Sequence, residues 1–180
     1  MKWFQNLSIA RKLALAFTAT TLLTLLLGGV SMWRLDVANT QMSDVNENWM
    51  PAVQHLGEMR AQLGEFRTFE QAQLSRQGNL EVIADYDKRL KDTRALIEAE
   101  EHAYNEIPSE SSPEELALYQ QVEAARAAYF EAHDRIAAAL AADDFATAQV
   151  ISGTESRKLR RALFDHLKAL SQYNIDNMAR

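Results

Sequence analysis

The chain has no cysteine, and only three prolines and six glycines in 180 residues. Without thiols there is no disulfide to hold an exported domain together, no thiolate nucleophile and no cysteine-based metal site, so any core must come from packing alone. Proline occurs only at positions 51, 108 and 113, and beyond residue 33 glycine occurs only at 57, 64, 78 and 153, which leaves few places for the chain to turn. There is no glycine-rich phosphate loop and no Ser-His-acid order. The histidines at 55, 102, 133 and 166 form no Glu-x-x-His motif of the kind a di-metal bundle uses. Neither catalysis nor a haem, metal or other cofactor is expected. Positive charge is also scarce: 19 lysines and arginines stand against 25 aspartates and glutamates, and three of those cations, Lys2, Arg11 and Lys12, are the only charged residues before Trp33. The remainder is acidic, which argues against nucleic acid and against an anionic membrane surface as partners.

What the chain does have is one long uncharged run. Twenty residues from Leu13 to Met32 carry no charge, and a helix of that length reaches about 30 Å, the thickness of a bilayer's hydrocarbon core. Four threonines and a serine dilute the run, but in a helix their hydroxyls can bond back to the preceding turn. A cleavable signal peptide is the alternative; the run is long for one, and Trp33-Arg34 makes a poor cleavage context. Lys2, Arg11 and Lys12 flank one end, whereas Arg34 at the other is soon followed by Asp36, Asp44 and Glu47. The bias of positive charge therefore puts residues 1–12 in the cytoplasm, a transmembrane helix over 13–33, and residues 34–180 on the far side.

Residues 34–180 suffice for one domain with a sizeable core. Breaks fall at Gln77-Gly78-Asn79, from Pro108 to Glu115, and at Asp143-Asp144. The second ends in a helix start, with Ser112 as N-cap, Pro113 in the first helical position and Glu115 completing a capping box. The third sets carboxylates against the exposed N–H groups of a helix start. Between the breaks the periodicity is helical: Leu116, Tyr119, Val122, Arg126, Tyr129, His133, Ile136 and Leu140 recur at steps of three and four, as do Leu159, Leu163, Leu167, Leu170 and Tyr173. The spacing predicts an all-α chain, one transmembrane helix followed by an antiparallel up-down-up-down four-helix bundle with helices over roughly 34–76, 80–107, 113–141 and 144–180. The last helix heads back toward the membrane at Arg180, so a second span is expected beyond it.

The order of the pieces carries a resemblance. Ser8-Ile9-Ala10-Arg11-Lys12-Leu13 leads into the span, Asn48-Trp49-Met50-Pro51-Ala52 enters a long arginine-rich helix, and Ala142-Asp143-Asp144-Phe145 opens the fourth helix. Together these resemble the N-terminal part of a bacterial methyl-accepting chemotaxis receptor with a four-helix-bundle ligand-binding domain, over essentially the whole chain. The resemblance implies a homodimer in the inner membrane of a Gram-negative cell and a periplasmic site for a small molecule near the dimer interface. It also implies a second span, a linker module and a cytoplasmic signalling hairpin beyond residue 180. The alternatives are the same bundle serving a histidine kinase or cyclase, and a membrane-tethered structural bundle that binds only protein.

Counting from the turns sets a height for each residue along the bundle. Arg67 lies about ten residues before the first turn, Tyr129 about thirteen before the third and Thr154 about eleven after it, so all three share one level far from the membrane. There the apolar stripes are interrupted by Arg126, Tyr129 and His133, and by Ser152-Gly153-Thr154-Glu155-Ser156-Arg157. Buried cations need partners, and a bound carboxylate matches guanidinium forks. Phe66, Phe69 and Tyr129 are then placed to pack its carbon skeleton. Against this, an arginine on a bundle is often paired with an acid one turn away, and Glu65, Glu70, Glu123 and Glu131 stand within such reach. In the family's aspartate and serine receptors, arginines of the first helix and polar residues of the fourth grip the amino acid. Arg60 matches the first of those arginines and Thr154 and its neighbours the fourth-helix part, whereas Glu65 and Phe69 fall where the other two arginines stand. Arg126, Tyr129 and His133 are similar in spacing to relatives that bind organic acids. The expected ligand is therefore a small carboxylate such as malate, citrate or an aromatic acid, held by Arg60, Phe66, Arg67, Arg126, Tyr129, His133, Thr154 and Arg157.

Overall fold

The computed structural model describes residues 8–76, 78–107 and 112–178. Among them every regular element is helical, and they fall into two compact units divided in sequence between Asp44 and Val45.

The first unit is helix α1, Ile9–Asp44, none of whose residues is buried. It lies in the one helix, among the described residues, that is long and apolar enough by composition to cross a membrane. The threonines behave as a nonpolar solvent would require. Thr20, Thr21 and Thr24 donate to the carbonyls of Ala16, Phe17 and Thr20 at 3.1, 2.8 and 2.9 Å, so their hydroxyls are satisfied within the helix. Lys2 lies outside the described residues.

The second unit opens with a π-helical turn, Val45–Trp49, followed by α2, Met50–Leu74, α3, Leu80–Asn105, and α4, Pro113–Ala141. The last limb is α5, Phe145–Ile151, a second π-helical turn, Ser152–Ser156, and α6, Arg157–Met178. Helix α2 packs against α3 and α6, and α4 against α5 and α6, closing an all-helical four-helix bundle. The α3–α4 seam is spanned by side chains: Arg94 to Asp134 and Arg126 to Glu101, each at 2.9 Å, and Asn105 to the Tyr119 hydroxyl at 2.7 Å.

Local chemistry explains where the helices begin. The side chains of Asn79, Ser112 and Asp144 accept from the N–H groups of Val82, Glu115 and Thr147 at 3.2, 3.0 and 3.0 Å, satisfying donors that the first helical turn leaves without partners. Gly78 supplies the left-handed turn, at φ +83°. Gln77 and Pro108 to Ser111, which belong to two of the breaks expected from sequence, lie outside the described residues. At Ser112 only half of the expected capping box forms, because the Glu115 carboxylate turns inward and accepts from the Tyr104 hydroxyl at 2.8 Å. Ser112 Oγ also pairs with the Tyr173 hydroxyl at 2.7 Å. Ser112→Ala is therefore expected to lower stability by about 1–2 kcal/mol, and Ser112→Thr by much less. Thermal unfolding followed by circular dichroism reads both.

The core follows a 3.5-residue repeat. In α2, Ala52, Leu56, Met59, Leu63, Phe66, Glu70 and Gln73 are all buried, at alternating steps of four and three, the spacing that keeps one seam facing inward. Leu163, Leu167, Leu170 and Asn174 do the same for α6. One apolar cluster built on Leu56, Leu63, Phe66, Leu90, Ile97, Leu163 and Leu167 fills most of the bundle, and a smaller one of Leu74, Ile136 and Ala148 closes the end near the α2–α3 turn. Polar side chains occupy seam positions between the two.

Candidate functional site

That polar layer is built from Glu70, His133, Ser152 and Ser156, all buried, with Arg67 reaching in from the side. The Glu70 carboxylate accepts from the Arg67 guanidinium, from His133 Nδ1 at 2.9 Å and from Ser152 Oγ at 2.9 Å. Arg67 further donates to Ser152 Oγ at 2.8 Å and to the Ser152 carbonyl at 3.0 Å, and Gln71 Nε2 donates to the same hydroxyl at 2.7 Å. Burial alone would push the Glu70 carboxyl up. The hydrogen bond and charge of His133, the charge of Arg67 and the bond from Ser152 outweigh it and hold the group below its ordinary range.

Arg67 and Arg126 thus have acidic partners inside the bundle, the alternative that the sequence sets against a bound carboxylate. Arg67 is neutralised by Glu70, one turn along its own helix. Arg126 is neutralised by Glu101 of α3 at 2.9 Å, where burial pushes the carboxyl up more than Arg126 pulls it down. His133 is likewise held by Glu70. Phe66 and Tyr129 are fully buried and pack on each other at 5.9 Å between ring centroids, with Phe66 also against His133 at 4.6 Å. Both belong to the main core cluster. Burial pushes the Tyr129 phenol up. Thr154 shares the level of Arg67 as counted, but it is exposed and its hydroxyl bonds back to the Val150 carbonyl at 2.6 Å. The residues that meet Arg67 are Ser152 and Ser156, because the wider π-helical turn changes the phase of this segment. Glu70 is one of the acids that the sequence offers as a partner for Arg67, whereas within the Ser152 to Arg157 segment it is the two serines rather than Thr154 that meet Arg67. The available signal was the step of four from Ala148 through Ser152 to Ser156.

Arg60 and Arg157 remain on the surface. Arg60 lines a groove of about 250 Å³ between α2 and α6, walled by Leu56, Gly57, Leu167 and Ile175 and edged by Lys168, Ser171 and Gln172. Its guanidinium lies 5.5 Å from the centre of the Phe164 ring, and Arg160 lies 4.9 Å from the same ring, each within cation–π range. Among the described residues neither Arg60, Arg157, Arg160 nor Lys168 has an ion-pair partner, unlike Arg67, Arg89, Arg94, Arg126 and Arg135. The groove is thus a positively charged slot with an apolar wall and two hydrogen-bonding side chains. No group of three or more histidines and acids suited to a metal occurs among the described residues.

Comparison with curated proteins and with solved structures gives no match. A family model described as a four helix bundle sensory module for signal transduction matches residues 6–177. That match spans the apolar helix and the whole bundle with its polar layer and basic groove, and the chain belongs to the four-helix-bundle sensory modules of methyl-accepting chemotaxis proteins.

Proposed function

We propose that the bundle is the periplasmic sensor of an inner-membrane homodimeric chemoreceptor and that it reads a small carboxylate in the α2–α6 groove. The observation that carries this reading is the contrast in charge compensation. Every guanidinium inside the bundle wall that the sequence pointed to already has a glutamate, whereas Arg60 and Lys168 face the groove together without one. A carboxylate between them would gain charge-assisted hydrogen bonds from a fork and an ammonium, Ser171 and Gln172 supply further donors, and Leu56, Leu167 and Ile175 offer apolar surface to a short carbon skeleton. Beside Arg60 the outer face of α2 carries Gly57, Ala61 and Gly64, and a methyl group added at either glycine would meet nothing within 4 Å. This flat surface suits the approach of a second α2 across a two-fold axis.

The ligand is bound and released unchanged. By bridging α2 and α6 it would favour one spacing of those helices, and it could shift the balance of arrangements only by its difference in affinity between them. A sliding of α6 by an ångström or two is the scale on which packed helices switch. The test is a panel of malate, citrate and benzoate against the full chain in detergent, read by calorimetry and by melting temperature. A binder at a hundred times its Kd would add about 2.7 kcal/mol of stability. A panel giving neither heat nor a rise in melting temperature would remove the carboxylate reading.

A further inference from the structure

At the other end of the bundle, where its chain enters at Val45 and leaves near Met178, a cavity of about 160 Å³ opens at the α3–α4 seam. Its chemistry is the opposite of the basic groove. No cation lines it among the described residues; its single carboxylate is Glu115, 6% exposed, and one Glu115 oxygen accepts from the Tyr104 hydroxyl. Asn174 is completely buried in its wall. The amide nitrogen of Asn174 donates to the Leu170 carbonyl at 2.9 Å, and its oxygen meets no protein donor. Tyr104 and Tyr119 stack face to face at 5.4 Å, and Trp49 adds a third ring to the lining.

We propose that this cavity is a second ligand site, for a small organic ammonium. The requirement comes from the acceptors. A buried carboxylate is favourable only with compensation. Here part is supplied by the N-terminus of α4, where Glu115 is the third residue, and part by Tyr104. No lysine, arginine or histidine among the described residues pairs with it, in contrast to Glu70 and Glu101. The Asn174 oxygen adds an acceptor that is also without a donor. An ammonium group supplies three donors and the missing charge, and aromatic faces attract its cation and its adjoining carbon atoms. The volume is close to that of an engineered cavity that accepts benzene, about 150 Å³, so a single ring or a chain of a few carbons fits. The site shares no lining residue with the α2–α6 groove, and a failure of carboxylates to bind would leave it untouched.

Benzylammonium, benzyl alcohol and benzoate have nearly the same shape and differ in charge. With the full chain in detergent, benzylammonium is expected to bind saturably by calorimetry, to raise the melting temperature and to perturb tryptophan emission. The alcohol is expected to bind at least tenfold more weakly, and benzoate not to produce these effects at this site. Glu115→Gln, which keeps a hydrogen-bonding oxygen for Tyr104 and removes the charge, is expected to weaken benzylammonium at least tenfold. Leu116→Trp, at a half-exposed position on the cavity's rim, is expected to do the same by filling the mouth. Circular dichroism reports whether each variant folds; if E115Q does not, L116W decides alone. Equal binding of alcohol and ammonium, ammonium binding that the folded variants leave unchanged, or no ammonium binding at all would each overturn the proposal.

Discussion

Replacing Glu70 with leucine is expected to destabilise the bundle by about 3–5 kcal/mol, the usual consequence of removing one partner from a buried charged network. The leucine itself fits an apolar seam position. The loss arises at Arg67 and His133, whose shared counter-ion disappears, and at Ser152, whose hydroxyl loses its acceptor. For a chain of this size such a loss lowers the melting temperature by roughly 10 °C. The pH dependence has a definite sign. The Glu70 carboxyl is held below its ordinary value of 4.5 in the folded bundle, so its contribution is fully present above the unfolded value and is lost as pH falls through the folded one. The gap between wild type and E70L is thus expected to be full at neutral pH and to narrow in acid below about 4.5. Removing Arg67, Glu70 and His133 together in favour of leucines is expected to recover much of the loss, because no charge is then left without a partner. Unfolding by urea at neutral and acid pH checks all three statements. If E70L were as stable as wild type, Arg67 and His133 would have to find water or new acceptors without cost, and the layer would be a surface network.

How the fold could be read from the residues while the ligand contacts could not comes down to helix phase. Turns and helix starts are local: Ser112-Pro113, Asp143-Asp144 and Asn79 determine their own backbone within a few residues, and the structure places an N-cap at Asn79, Ser112 and Asp144. Heights along the bundle are also accessible, since a residue count converts directly to distance. Which way a side chain points around its helix is less forgiving. The steps Leu56, Met59, Leu63 and Phe66 lead next to Glu70, so the sequence held the clue that this acid is internal and that Arg67 beside it is paired. The spacing of the α4 stripe runs through Leu116, yet Glu115 is the buried neighbour and Leu116 is half exposed, because Tyr104 draws the carboxylate inward. In the last limb the π-helical turn Ser152–Ser156 rotates the pattern, a change that no fixed 3.6-residue template registers. Thr154 therefore points outward while two serines face Arg67. Charge partners such as Glu101 for Arg126 come from another helix and follow only from tertiary packing.

The other large effect is expected at the basic groove. Arg60→Ala should weaken a bound carboxylate by about 10- to 100-fold, since one hydrogen bond to a charged group is worth roughly 1.5–3 kcal/mol. The pair Arg60→Ala with Lys168→Ala should weaken it further, though by less than the product of the two single effects, because both residues contact one ligand. Arg60→Lys should recover charge but not the fork, and so fall between alanine and wild type. Arg60 and Lys168 are exposed, and surface positions of this kind change stability little, so all three variants should melt within a few degrees of wild type. This separates the groove from the polar layer, where a substitution at Arg67 disturbs folding before it reports on any ligand. A bundle that served only to hold another protein would show no carboxylate affinity for these substitutions to remove. If carboxylates bind but alanine at both positions leaves their affinity intact, the acid lies elsewhere, and Arg160, over the same Phe164 ring as Arg60, and Arg157, both without acidic partners among the described residues, are next in line. Calorimetry on these variants, on Lys168→Ala alone and on wild type, with melting curves to confirm folding, is enough to choose between these outcomes.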